Sequence, residues 1–510
     1  MSDPLPIPVG SAESALESET VRTAARIGRN FSFRMIAQIL SALINVGGMV
    51  VLGNYLSAEG YGEYVFYYAL IPLIGSLSDL GTGVMIVKEI ARDRDRGARY
   101  YGDALMLKAI ISGTLLAIVG VSSFVLFDPG KAALITMVCA TATIDFGQDV
   151  SVWMMRANER LDIEALMLLL SQIAWIGGLG LGVVLHASLA WLLAVAAVAF
   201  LLRTVCGLLI VRRRFYRPRF DFDFTRLKDF VVQAAPFGLA MFFVVLYGRI
   251  GVLMLKALGS SADVALFNVG YMLSQPLGFI STALSMAAFP AIARHAKRGP
   301  QAIAGALRRT SKYQFLVTFP LMAGLVLLSG RVIPLLFHGA DFRGASLSLR
   351  LMSLGLTLIF VNLMSRYLLA AIDEQRIYLT AVVVGLVANL GLGFLLIPRI
   401  GFAGACVAQL AGETAIFVMC QRALTRYVPA WELAGTAVRP AIAALGMAGV
   451  VWLLRSTPLV VPILAGAVTY AVLLLLIRAF TREEIALLKG MLATYKIPGV
   501  ATVRRAAPRP

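Results

Sequence analysis

Residues 29–92 read RNFSFRMIAQILSALINVGGMVVLGNYLSAEGYGEYVFYYALIPLIGSLSDLGTGVMIVKEIAR, and this stretch decides the fold. Its two apolar runs, Asn30 to Gly53 and Tyr61 to Val87, each exceed the roughly 20 apolar residues that carry a helix across a ~30 Å hydrocarbon core. Between them lies a tip around Leu56-Ser57-Ala58-Glu59-Gly60, far too short for a folded domain. In a bilayer every backbone N–H and C=O must be bonded within the chain. The stretch therefore predicts a tight transmembrane helical hairpin.

Working outward, apolar runs recur at about 104–126, 132–155, 164–186, 188–211, 230–255, 264–289, 313–337, 346–371, 377–397, 401–421, 438–454 and 459–477, which with the hairpin makes fourteen. A chain that is 59% hydrophobic and only 15% charged cannot cover a soluble surface, for which about 25% charged residues are usual. The expected fold class is an all-α polytopic membrane protein of about 14 helices. A net charge of +18 would suggest nucleic acid in a soluble protein. Here the basic residues divide by side of the membrane, and no nucleic-acid partner is expected. One side collects Arg22 to Arg34, the cluster from Lys88 to Lys108, Arg156 and Arg160, Arg212 to Lys228, Arg294 to Lys312, Arg376, Arg422 to Arg439 and the residues from Arg478 onward. The other keeps Lys131, Lys256, Arg331, Arg343, Arg350, Arg399 and Arg455. This bias predicts both termini in the cytosol. Residues 1–20 lack the basic start, apolar core and cleavage site of a signal peptide, and together with 497–510 they read as disordered cytosolic tail.

Weak self-similarity divides the chain. Leu56-Ser57-Ala58 at the first tip corresponds to Leu258-Gly259-Ser260, and in each copy an Ile-Ala-Arg follows at the same offset, Ile90-Ala91-Arg92 and Ile292-Ala293-Arg294. Both copies start from the cytosolic side, so the repeat is parallel. The expected organisation is a cytosolic tail (1–28), a six-helix lobe (29–211), a basic cytosolic linker (212–229), a second six-helix lobe (230–425), helices 13 and 14 (426–480) and a second tail (481–510). The linker arginines either bind anionic lipid headgroups or simply mark a cytosolic loop.

The basic-Asn start at Arg29-Asn30, "LGNYLSAEGYGEY" at the tip and "LSDLGTGVMIVKEIAR" leaving the second helix, taken in order, resemble the polysaccharide-transport flippases. These are the O-antigen and exopolysaccharide unit translocators of the multidrug/oligosaccharidyl-lipid/polysaccharide (MOP) exporter superfamily. The resemblance implies two six-helix lobes plus a C-terminal pair, in the cell inner membrane. It also implies a polyprenyl-diphosphate-linked oligosaccharide as substrate, with membrane lipids, a polysaccharide polymerase and glycosyltransferases as partners. A drug/cation antiporter of the same superfamily is the nearest rival, and a membrane glycosyltransferase or polymer ligase a more distant one.

Ionisable residues inside spans are costly, at least ~2.5 kcal/mol each near the bilayer centre, and so point to partners or watery cavities. Arg34, Arg249 and Arg366 are the candidate substrate-binding cations, with snorkelling as the alternative for each. Asp145 and Asp149, one turn apart in the fourth run, and Glu413 in the twelfth are the candidate ion-coupling acids; packing, capping and ion pairing are the alternatives. Arg203 is a further deep charge, Asp79 reads as a packing or gating residue, and Tyr61, Tyr64, Phe66, Tyr67 and Tyr68 read as an interfacial belt, with sugar stacking as the alternative. Pro236, Pro276 and Pro320 predict interruptions in the seventh to ninth helices and make the second lobe the bending half. Gly177-Gly178-Leu179-Gly180-Leu181-Gly182 reads as a helix-packing stripe. Without GxxxxGK[ST], HExxH or paired CxxC sequences, and with Cys139, Cys206, Cys406 and Cys420 at unrelated spacings, the chain is expected to have no catalytic site, no metal and no cofactor.

Overall fold

The computed structural model describes residues 33–79, 81–220, 224–296 and 300–480. The predicted tails at 1–28 and 481–510 lie outside the described residues, within which the chain is helical throughout, with no strand. In chain order the helices are α1 (Phe33–Tyr55), α2 (Ala58–Asp79), α3 (Thr82–Arg92), α4 (Gly97–Leu126), α5 (Pro129–Ile144), α6 (Phe146–Ala157), α7 (Leu161–Val184), α8 (Leu189–Arg214) and α9 (Phe224–Leu258). They continue with α10 (Ser261–Ser274), α11 (Gly278–Ala296), α12 (Pro300–Leu336), α13 (Ala345–Leu354), α14 (Leu356–Ala371), α15 (Gln375–Ile400), α16 (Phe402–Leu424), α17 (Ala430–Leu453) and α18 (Val460–Leu476). Large apolar side chains such as Val125, Val184, Leu445 and Leu476 are exposed on the outside of the bundle. A surface of this kind needs lipid rather than water.

Among the described residues ten helices are long and apolar enough to cross a membrane, or eleven if α13 and α14, bent by 42°, are one span. This is fewer than the fourteen apolar runs, several of which fold as broken helices. The second run is split between α2 and α3 at Gly81, whose φ of +73° suits glycine, and the fourth is split between α5 and α6 at Asp145. In the second half, a 3-10 turn at Gln275–Leu277 containing Pro276 separates α10 from α11, and Gly355 separates α13 from α14. The fourteenth run yields only the short α18. Interruptions thus fall in the second and fourth segments of the first six, and again in the second and fourth of the next six. Pro236 and Pro320, expected to break helices, lie inside the continuous α9 and α12. Broken backbone is shared by both halves rather than confined to the second.

Helix ends are fixed locally. Ser260 caps α10 in a reciprocal box with Asp263, whose other oxygen accepts from the Phe402 N–H at 3.0 Å and so ties the α9–α10 tip to the α15–α16 tip. Arg212 to Arg214 extend α8, and Phe215 to Phe220 lie across the start of α4, with Arg219 N–H donating to the Ala98 carbonyl at 3.0 Å. Gly178 and Gly182 of the glycine stripe face Val195, Trp191 and Leu192 of α8, as helix packing requires.

The two halves meet along α2. Tyr61 and Tyr64 are fully buried and Tyr67 nearly so, which overturns their reading as an interfacial belt. The face of α2 that carries them packs against α5, α9 and α10 instead of lipid. Near the tips the halves are clamped together. Lys256 pairs with Glu63, and Ser261 Oγ bonds both, at 2.7 Å to Lys256 Nζ and 2.9 Å to Glu63. Asn268 donates to Tyr61 Oη at 3.1 Å, while Asn54 donates to the Leu336 carbonyl at 2.7 Å and accepts from the His338 N–H at 2.8 Å.

Candidate functional site

Away from that clamp, α2, α5, α6, α8 and α9 line a half-open cavity of about 390 Å³. Its α2 wall, Tyr68, Ile71, Pro72, Gly75, Ser76 and Asp79, leaves room because Gly75 has no side chain and no atom lies within 4 Å of where a Cβ would be. Asp145 and Asp149 enter from the break between α5 and α6, Phe200 from α8 and Arg249 from α9. Three carboxylates therefore share one wall.

Each is answered by a cation set behind it. Arg203 on α8 donates from one nitrogen to both oxygens of Asp145, at 2.8 and 2.9 Å, with its guanidinium 5.0 Å from the Phe200 ring. Lys108 on α4 reaches Asp149 at 2.9 Å and Asp79 at 3.5 Å, beneath the Trp153 ring at 4.9 Å. Lys108 is only 1% exposed, although the sequence placed it in a cytosolic loop cluster. It follows Gly97 by eleven residues on an unbroken helix, roughly 16 Å along the axis at 1.5 Å per residue. An isolated buried ammonium costs several kcal/mol, and the two aspartates remove that cost. Asp145 and Asp149 are accordingly not a bare repelling pair. The helix break and two separate cations hold them as independent ion pairs.

Arg249 is the one predicted substrate cation that faces this cavity. Among the described residues no carboxylate pairs with it. Arg34 instead pairs with Glu164 at 3.2 Å, sharing that carboxylate with Arg156 at 2.7 Å, and so joins α1 to α7. Arg366 is exposed on α14, with the neighbouring Tyr367 ring at 6.0 Å. The three arginines are not brought together.

Glu413 occupies a different environment. It is 7% exposed and accepts from Asn362 Nδ2 at 2.8 Å, Tyr247 Oη at 3.0 Å and Gln409 Nε2 at 3.3 Å, while Gln409 is held by Asn389 at 2.9 Å. The cage is wholly neutral: no cation pairs with Glu413 among the described residues, and the deep Arg203 belongs to Asp145. Tyr247 lies two residues before Arg249, so α9 links this cage to the cavity. No group of His, Cys, Asp and Glu among the described residues is arranged to hold a metal ion.

Of the functional side chains, Lys108 is the one the sequence reading missed. Its signal was available: a lone lysine well inside an apolar helix, in a chain whose second and fourth runs each carry acids.

Comparison with known proteins fits this arrangement. Residues 27–295, more than half of the chain, match the family described as polysaccharide biosynthesis protein, and residues 236–395 match the MatE family. No curated protein matches. Among solved structures, the lipid II flippase MurJ in an inward closed conformation aligns with a TM-score of 0.73 at 14% identity, over 86% of this chain and 97% of that one. A multidrug resistance MATE family transporter of the MOP superfamily aligns in its inward-facing form (TM-score 0.60, 16% identity, 78% of this chain and 98% of that one). Its outward-facing form aligns as well (0.57, 16%, 81% and 96%). At these identities the likeness is one of fold, and the fold is that of the MOP superfamily transporters. By sequence, the chain belongs to the polysaccharide biosynthesis protein family, and its apolar helices make it a multi-pass membrane protein.

Proposed function

We propose that this transporter is a flippase that moves polyprenyl-diphosphate-linked oligosaccharide units across the inner membrane for surface polysaccharide biosynthesis. The observation that carries the reading is Arg249, a cation without a carboxylate partner among the described residues, facing a cavity between the two halves. A guanidinium fork matches the oxygens of a diphosphate. On this reading residues 29–211 and 230–425 are the two lobes, α17 and α18 are an added pair, both termini are cytosolic, and glycosyltransferases and a polymerase act before and after the step.

Alternating access supplies the mechanism. The state described here is clamped at the tips by Glu63, Lys256 and Ser261, so the headgroup is exchanged at the opposite, basic end. Arg366, exposed near that end, meets the diphosphate first, Arg249 receives it in the cavity, and Arg34 holds α1 on α7 through Glu164. Release of the clamp then opens the tip side. Asp145, Asp149 and Glu413 are the acids proposed to couple the cycle to a proton or Na⁺, with Glu413 the best placed because no cation pairs with it among the described residues.

Deletion tests the reading. Lipid-linked oligosaccharide should accumulate on the cytosolic side and one surface polymer should disappear while drug tolerance is unchanged. The second reading, a drug/cation antiporter, is favoured by the three carboxylates on the cavity wall. Normal polymer with altered tolerance to cationic dyes would select it.

A further inference from the structure

Two of the three cations that balance the cavity's charge do not themselves line it. Asp79, Asp145 and Asp149 present carboxylates to the space, with 31%, 22% and 38% of their side chains exposed. Lys108, at 1%, and Arg203, at 14%, sit behind them. With Arg249, which also lines it, three positive charges meet three negative ones, and the cavity is neutral overall. Without Lys108 the same surface would be a net-acidic pocket, attractive to organic cations and closed to phosphates.

We propose that Lys108 is a specificity-determining residue, a buried counter-charge that keeps this cavity from selecting cations and leaves Arg249 free to recognise an anionic headgroup. The inference rests on the anionic-substrate reading above but makes a separate claim, about which residue sets the sign of the selected ligand. Two features of the geometry support it. Lys108 bridges two carboxylates from different broken helices, so its single charge offsets half of the negative charge at the junction of α2 and α6 rather than one local pair. Its burial under Trp153 also prevents it from reaching a ligand, which separates an electrostatic role from a contact role.

Lys108 and Asp149 must then act with opposite signs. In a cavity of effective dielectric ~20, a unit charge ~10 Å from a divalent headgroup changes its affinity by on the order of tenfold or more. The experiment measures binding of two probes, farnesyl diphosphate and the cationic dye ethidium, to the purified full chain in nanodiscs. Lys108→Gln should weaken farnesyl diphosphate about tenfold or more and strengthen ethidium correspondingly, whereas Asp149→Asn should do the reverse. The double variant Lys108→Gln/Asp149→Asn restores the wall's charge and should return both affinities to within a few fold of the unaltered protein. Arg203→Gln, which uncovers Asp145, should shift the ratio in the same direction as Lys108→Gln.

If Lys108→Gln does not fold, the double variant and Arg203→Gln still decide the matter. A probe ratio moved tenfold by the charge-restoring double variant, or unmoved by Arg203→Gln, would overturn the proposal. So would a folded Lys108→Gln protein with an unchanged ratio. Failure of the substrate reading looks different: the unaltered protein would itself prefer ethidium to the diphosphate.

Discussion

Gly62 is where the tip clamp is most open to challenge. A Cβ on Gly62 would lie 1.7 Å from the Ser261 carbonyl oxygen, where real Cβ contacts essentially never fall below 3.0 Å. Gly62→Ala therefore forces α2 and α10 apart by at least about 1.3 Å, and the obstacle is backbone, which cannot swing aside as a side chain can. Overpacking of this kind costs ~1–3 kcal/mol, and since the strain is present only while the tips are closed, it should shift the closed-to-open ratio by roughly 5- to 150-fold. Spin labels at Glu59→Cys and Arg343→Cys, exposed near the tips on opposite halves, would report the change as a longer or broader distance distribution in electron–electron resonance. Gly102→Ala is the matched control: its Cβ would lie 1.9 Å from the Arg219 carbonyl oxygen, but within one half. It should lower thermal stability and leave the tip distance alone. An unchanged tip distance in Gly62→Ala, with normal folding, would refute the claim that this contact holds the halves closed.

Arg203→Ala strands the Asp145 carboxylate in a largely buried position and should cost ~3–5 kcal/mol of stability, most of it recovered in Arg203→Ala/Asp145→Ala; thermal unfolding in detergent measures both. Glu413→Gln should keep the fold yet remove the dependence of transport on the ion gradient, measured in proteoliposomes with and without that gradient. Glu413→Leu leaves the Tyr247 hydroxyl and the Gln409 amide donor unanswered and should also destabilise by ~1–3 kcal/mol per orphaned group. Cysteines at Glu59 and Ala340 should react with an impermeant maleimide in intact cells and a cysteine at Arg213 should not; the opposite pattern would invert the topology.

The sequence was most legible where one residue type repeats over a long run. Apolar length alone marked the hairpin and the later runs, and the tip and SDLGTG segments carried the family. Interruptions were legible only where proline caused them: Pro276 sits in a break, but Gly81, Asp145 and Gly355 break helices inside runs that are apolar on average. Window averages cannot register a single residue whose backbone or charge ends a helix. Pairings across helices were hidden for a different reason. Lys108 with Asp149 and Asp79, Arg203 with Asp145 and Arg34 with Glu164 join positions far apart in the chain, and spacing says nothing about which helices become neighbours. Lys108 was further masked by the basic cluster before it, and Tyr61 and Tyr64 by their place next to a tip, where aromatic residues usually meet the membrane interface.

The central claim is translocation of a diphosphate-linked lipid, and its most direct measurement uses the purified protein in sealed vesicles. A short-chain prenyl diphosphate bearing one labelled sugar is placed in both leaflets, and the fraction oxidised by an impermeant reagent outside is followed with time. The account predicts that the protein exposes the inner-leaflet pool, that Arg249→Ala slows this at least tenfold, and that Arg249→Lys retains part of the rate, since it keeps the charge and loses the bidentate fork. An inner pool as protected as in protein-free vesicles, from a preparation that exports ethidium down an ion gradient, would contradict it.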